Sequence, residues 1–191
     1  MLWRIIMSKI VLSQLKNNVK NSGGCSIDGP GPITYDDVES LELTPNKFSG
    51  MKLTFINMPL RESATPNTPP EGPGILAAIA RQYGAEPHII DLNGYRVRDE
   101  VAISQGLSNG RHLTLDEAER YIIQHLNNVG DQDIIAFSGK ITTLKWQEEI
   151  AKIVRKHQPD TFIVSGNGLA TEIKTGLFKW IPELDAIGRS E

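Results

Sequence analysis

From Lys52 onward the chain repeats one pattern, a short apolar run followed by a longer segment whose apolar positions recur every three or four residues. The runs are Leu53-Thr54-Phe55-Ile56, His88-Ile89-Ile90, Ile134-Ile135-Ala136-Phe137, Thr161-Phe162-Ile163-Val164 and the weaker Asp185-Ala186-Ile187. Near-continuous Ile, Val and Phe without polar alternation is what a strand buried on both faces requires. Ile75, Ile79 and Tyr83 mark one helical face, with Gly84 placed to end it in a left-handed turn. Thr114-Leu115-Asp116-Glu117 spells a capping box, and Leu115, Ala118, Ile122 and Leu126 follow on one face. Trp146, Ile150 and Val154 predict a third helix ending near Pro159. A shorter one falls within Thr171 to Trp180, before Pro182.

Strands alternating with helices predict an α/β fold with a parallel sheet. Right-handed crossovers leave few topologies for five strands, and the flavodoxin-like, Rossmann-like order 2-1-3-4-5 with helices on both faces is the natural one. A ligand crevice then opens at the carboxyl ends of the strands, so residues just after Ile56, Phe137 and Val164 are expected to line it. Residues 1–50 read differently. Their periodicity is weak, Gly29-Pro30-Gly31-Pro32 and Pro45-Asn46 punctuate them, and only Val11, Leu15 and Val19 suggest a short amphipathic helix. They are expected to form an arm packed outside a domain spanning residues 51–191.

Composition narrows the function. The 191 residues are 39% hydrophobic and 23% charged, ordinary for a soluble globular domain, and no apolar run approaches the roughly 18 residues of a membrane span. A net charge of -3 gives no positive field for nucleic acid. The single cysteine, Cys25, forms no internal disulfide and holds no iron–sulfur cluster alone, which suits a reducing cytoplasm. The polar residues near the amino terminus interrupt any signal-peptide core.

The expected strand ends carry small and hydroxyl-bearing residues rather than a catalytic set. After the first run comes a proline-rich loop from Asn57 to Gly74, including Pro59 and Leu60; it suits a wall or lid over a large ligand. Within it, Ser63, Thr65 and Thr68 repeat the hydroxyl spacing of a flavodoxin phosphate loop, although Pro69-Pro70 and Pro73 separate them from the next helix. Ser138-Gly139-Lys140-Ile141-Thr142-Thr143 follows the third run, where Thr142 or Thr143 either caps a helix or faces a ligand. Ser165-Gly166-Asn167-Gly168 follows the fourth, and its glycines leave room for a bulky group. No nucleophile elbow, His-x-x-x-His pair or receiver-type aspartate is present, so no catalytic or metal-ligating residue is assigned.

Six segments together resemble the N-terminal cobalamin-binding domain of B12-dependent radical SAM enzymes. They are Leu53 through Pro59, Pro69 through Ala78, Tyr83 through Asp91, Ile135 through Ser138, Ile163 through Thr171 and Pro182 through Glu191. The resemblance covers about residues 52–191. It implies a corrin lying over the carboxyl edge of the sheet and a nucleotide tail running between loops, with Pro59, Leu60, Ser138, Gly139, Thr142, Ser165, Gly166, Asn167 and Gly168 as cofactor-binding positions. The Asp-x-His-x-x-Gly motif that supplies a cobalt-ligating histidine has no counterpart after Asn57, which implies base-off cobalamin without a protein histidine ligand. Ser165-Gly166 replaces the usual double glycine, and Gly188-Arg189-Ser190-Glu191 replaces the usual Gly-Glu-x-Glu.

The resemblance further implies that the chain is not catalytic alone. The iron–sulfur cluster and S-adenosylmethionine would belong to a radical SAM domain of methyltransferase type, in cis or in trans, and this chain is then either a fragment or stands alone. Two alternatives stay open. One is a flavodoxin-like module binding FMN or another nucleotide through Ser63, Thr65, Thr68 and the third-strand loop. The other is a degenerate domain that has lost its cofactor and docks a partner.

Overall fold

A computed structural model describes residues 44–59, 69–95 and 113–188, and of residues 96–112 only residues 104 and 106. Residues 1–43 of the expected arm therefore lie outside the described residues, as do Leu60, Ser63, Thr65, Thr68, Arg189 and Ser190.

Five parallel strands form one sheet in the order β2-β1-β3-β4-β5: β1 (Lys52–Asn57), β2 (Glu86–Asp91), β3 (Ile134–Ser138), β4 (Phe162–Gly166) and β5 (Ala186–Ile187). The predicted order is the observed one. Strand β1 is central, with Asn57 in register with Asp91 of β2 and with Ser138 of β3, which itself pairs with Gly166 of β4. The carboxyl ends of these four strands are thus level.

The helices are α1 (Glu71–Gln82), α2 (Leu115–Val129), α3 (Leu144–His157), α4 (Gly168–Ile173) and α5 (Leu177–Trp180). Helix α2 begins at the predicted capping box. Thr114 Oγ1 accepts from the Glu117 amide at 3.2 Å, and a Glu117 carboxylate oxygen accepts from the Thr114 amide at 2.7 Å. Ala118, Ile122 and Leu126 of α2 join Ile150, Ala151 and Val154 of α3, Leu169 and Ala170 of α4 and Leu177 of α5 in one core against Ile56, Ile135, Phe137 and Ile163 of the sheet. The last predicted helix is two short ones, divided by a 3₁₀ turn at Lys174–Gly176 in which Lys174 takes a φ of 56°.

Helix α1 covers the opposite face, and here the expected stripe is corrected. Ile75 is 61% exposed, while Pro73, Ala77 and Ala80 are the buried positions. The small alanines permit a close approach to β1 and β2, and the larger side chains are displaced to the flank. Gly84 follows at φ 90°, the left-handed turn predicted for it. A Cβ there would lie 2.9 Å from the Asn46 backbone, so the close approach of residues 44–51 also needs glycine. No helix among the described residues is long and apolar enough to cross a membrane.

Candidate functional site at the carboxyl edge of the sheet

The β1 end is held by side-chain bonds. Asn57 Nδ2 donates to Asp91 Oδ1 at 2.7 Å, and the Asn93 amide donates to the same oxygen at 3.2 Å, tying the exits of β1 and β2 together. Met58 and Pro59 are buried immediately after β1, and the Met58 amide donates to Ser138 O at 3.4 Å. Pro59 is therefore part of the floor. Its neighbour Leu60 lies outside the described residues.

The loop after β3 is braced from beneath by a residue the sequence reading passed over. Gln147, fully buried on α3, accepts from Ser165 Oγ at 2.6 Å and donates from Nε2 to Thr143 Oγ1 at 3.4 Å. Thr143 Oγ1 in turn accepts from the Lys140 amide at 3.1 Å and donates to Lys140 O at 2.8 Å. Thr143 thus occupies the N-cap position of α3, but its hydroxyl closes the 3₁₀ turn back to Lys140 rather than capping the helix, and Thr142 is exposed. Gly139 lies directly over this bracket, where any Cβ would collide with Gln147 and Thr143. Its small size serves the packing of the loop itself. A signal for Gln147 existed in the sequence. It precedes Ile150, Ala151 and Val154 at helical spacing, so it had to share their apolar face.

The expected binding positions after β4 divide between inside and outside. Ser165 and Gly166 are buried, with the Ser165 hydroxyl committed to Gln147. Asn167 and Gly168 are exposed. Asn167 has φ 73° and ψ -165°, a region that non-glycine residues seldom occupy and that costs on the order of 1–3 kcal/mol. It is held there by its own side chain, whose Oδ1 accepts from the Gly168 amide at 2.7 Å and whose Nδ2 faces Ser138 Oγ at 3.4 Å. A Cβ on Gly168 would meet open space.

The structure therefore brings Pro59, Ser138, Gly139, Thr142, Asn167 and Gly168 to one edge, with Ser165 and Gly166 beneath it. One exposed apolar side chain follows in the same loop, Ile141, 60% exposed, after β3. Lys140 adds an exposed cation. Among the described residues, no group of three or more His, Cys, Asp or Glu side chains is arranged to hold a metal ion.

The described histidines belong elsewhere. His88 of β2 and His125 of α2 meet edge to face at 5.5 Å between ring centroids, and His125 Nε2 lies 3.4 Å from Thr54 Oγ1. Burial, and secondarily the neighbouring His88, lowers the His125 pKa below its usual value. His157 ends α3 beside Glu119, at 3.4 Å. Helices α2 and α3 run antiparallel to the strands, so their ends lie at the amino edge, away from the candidate site.

No protein-family profile matches the chain, and no curated protein sequence matches it. Among solved structures, the apo form of the malate dehydrogenase from Picrophilus torridus is similar at 13% identity and a TM-score of 0.41, over 72% of this chain. The similar region spans 45% of that enzyme's chain.

Proposed function

We propose that residues 51–191 are the cobalamin-binding module of a B12-dependent radical SAM enzyme of methyltransferase type, working with a radical SAM domain in cis or in trans. The observation that carries this reading is that, among the described residues, Asn167 and Gly168 after β4 and Lys140, Ile141 and Thr142 after β3 are exposed side by side at the carboxyl edge. No described atom lies within contact of a Cβ placed on Gly168 there, Asn167 is held in a strained conformation, and Ile141 presents bare apolar surface. A corrin is a broad, largely apolar plate, and such a plate suits this rim better than a small polar metabolite would. In this reading Ile141 flanks the plate, Pro59 forms part of the floor, and the exposed Thr142 and Lys140 meet the amide side chains and the phosphate of the nucleotide tail. Asn167 and Gly168 leave the passage for that tail.

When bound, cobalamin supplies a cobalt centre that carries a methyl group. The chain's own contribution is positional. Gln147 fixes the Ser138–Thr143 loop from below, so the loop requires little reordering when a ligand arrives. The placement of His88, His125 and His157 toward the amino edge supports a base-off cofactor without a histidine ligand from among the described residues. A reducing cytoplasmic setting is part of the same proposal.

The test is a titration of hydroxocobalamin, and separately FMN, into the full chain and its Gly168→Phe variant, followed by absorbance. A Cβ at Gly168 meets no described atom and the residue is exposed, and a denaturant midpoint measured for the variant beside the wild type checks that the fold is kept. The expected result is cobalamin bound by the wild type with a base-off spectrum and at least tenfold weaker binding by the variant, a loss of about 1.4 kcal/mol. Binding of FMN instead would transfer the site to the flavodoxin-like reading. If neither ligand binds, the cofactor reading fails and the docking module takes its place.

A further inference from the structure

Asparagine followed by glycine sets a carboxamide carbon near the next backbone nitrogen, and a residue without a Cβ leaves that nitrogen uncrowded. The chain holds three such pairs, Asn93–Gly94, Asn109–Gly110 and Asn167–Gly168. Asn109 lies outside the described residues. The other two stand in opposite surroundings.

Asn93 is 7% exposed and lies within a 3₁₀ turn, Leu92–Tyr95, with its own amide bonded to Asp91 Oδ1 at 3.2 Å. A 3₁₀ backbone, with ψ of about -25°, turns the following nitrogen well away from the side chain. Burial also keeps water and hydroxide from the carboxamide. Asn167 has neither protection. It and Gly168 are exposed, and a ψ of -165° swings the Gly168 nitrogen round toward the Asn167 side chain. That nitrogen is 2.7 Å from Asn167 Oδ1, so the carbon to which the oxygen is bonded already lies beside it. The φ of 73° raises the energy of this starting arrangement.

We propose that Asn167–Gly168 is a self-modification site, at which backbone attack converts the asparagine to aspartate and isoaspartate. The Gly168 nitrogen gives its proton to hydroxide and forms a bond to Asn167 Cγ, the Cγ–Nδ2 bond breaks, and ammonia leaves with a proton from solvent. Water then opens the succinimide at one of its two carbonyls. Opening at Cγ gives aspartate; opening at the former backbone carbonyl routes the main chain through Cγ and gives isoaspartate. No oxidant or cofactor takes part. Both products lose Nδ2, which faces Ser138 Oγ at 3.4 Å, and both add a carboxylate to the exposed edge. In isoaspartate that carboxylate is the former Asn167 carbonyl, which accepts from the Thr171 amide and from Thr171 Oγ1 at 3.2 Å each, so the start of α4 is rebuilt as well. The carboxyl edge therefore changes charge and shape with age, whichever ligand it takes.

The test holds the full chain at mildly alkaline pH, folded and in guanidinium chloride, and maps its peptides over time by mass spectrometry. Enzymatic methylation specific for isoaspartate separates the two products. The expected result in the folded chain is conversion at Asn167 several-fold faster than at Asn93, with the two rates converging in denaturant. Equal rates in the folded chain, or conversion of Asn167 in denaturant alone, would overturn the proposal. So would a difference that persists in denaturant, because it would then come from neighbours in sequence and not from the fold. Gly168→Ala tests the attacking atom, since its Cβ meets no described atom but crowds the nitrogen. Conversion at Asn167 should fall several-fold in this variant and stay unchanged at Asn93. An Asn167 rate equal to that of the wild type would mean that water attacks the side chain directly, and the succinimide route would be lost.

Discussion

At the amino edge of the sheet, buried polar side chains bond to one another in a closed network; at the carboxyl edge, a bonded layer at Asn57–Asp91 and Ser165–Gln147 lies beneath residues that face outward. Thr54 Oγ1 donates to Gln132 Oε1 at 2.9 Å, the Gln132 amide donates to Gln158 Oε1 at 3.0 Å, and Thr161 Oγ1 donates to Gln132 O at 2.7 Å, with all four residues buried. Arg155 completes this closed end. Its guanidinium donates to the carbonyls of Pro159, Thr161 and Glu183 and to Asp185 Oδ2, all within 2.8 Å, and that same Asp185 oxygen accepts from the Ile163 amide. Across the sheet, Asn167 and Gly168 are exposed and Asn167 holds a strained backbone. Polar residues at one edge stabilise the fold. Those at the other leave surface and stored strain unexplained by packing, which is the physical reason for placing the candidate site there.

The most damaging way to break the closed edge is Arg155→Ala. It leaves three carbonyls and a carboxylate without their shared donor and separates the entries of β4 and β5, so urea denaturation should show a loss of about 3 kcal/mol. Solvent reaches part of the ion pair, which keeps the cost near the lower end for a buried pair. Binding of any ligand at the carboxyl edge should be unaffected at protein concentrations and temperatures where the variant remains folded. A loss of less than about 1 kcal/mol would mean that the closed edge is not the stabilising one.

A gentler perturbation of the same edge is pH. The lowered His125 pKa means the fold favours the neutral ring, whereas the unfolded chain protonates it near 6.5. The unfolded state then binds more protons below that pH, so this contribution is fully present above about 6.5 and is lost as the pH falls toward the folded value. Unfolding midpoints measured from pH 8 downward should therefore decline for the wild type beginning near 6.5. His125→Gln should decline less over the same interval, since Gln carries no charge. Parallel curves for the two proteins would remove His125 from the account. The second buried histidine atom here, His88 Nε2, has no hydrogen-bond partner among the described residues, although Glu86 Oε1 lies 3.5 Å away.

The fold was more legible than the site because the two are encoded at different ranges. Apolar runs and the 3.6-residue period are local, so Ile134–Phe137 and the Thr114–Glu117 capping box were visible at once, and crossover handedness then set the strand order. Helix α1 shows where local reading errs. Ile75 and Ile79 outrank alanine in hydrophobicity, but the space above β1 and β2 admits only the alanine side of the helix. The Ser165–Gln147–Thr143 bracket joins three elements through tertiary contact, and nothing local in Ser165 discloses that its hydroxyl points inward. Gly139 and Gly168 look alike in sequence, yet one is small for the sake of its own loop and the other faces empty space.

The smallest expected effect bears most directly on whether the carboxyl edge is built for something other than stability. At Asn167, glycine would occupy φ 73° and ψ -165° without strain, while forfeiting the cap to the Gly168 amide, a loss of only a few tenths of a kcal/mol for Asn replaced by Gly. Asn167→Gly should thus raise stability by about 1 kcal/mol in urea denaturation. Asn167→Ala, which keeps the strain and loses the cap, should lower it by about the same amount. Under the cobalamin reading, the glycine variant should at the same time bind the cofactor more weakly, because the side chain that spans from β4 to Ser138 of β3 is gone. Greater stability with weaker binding is the signature of a residue kept strained for its ligand. If the glycine variant is instead less stable than the wild type, Asn167 belongs with Arg155 as a structural pin, and the contrast between the two edges disappears at the position where it is sharpest.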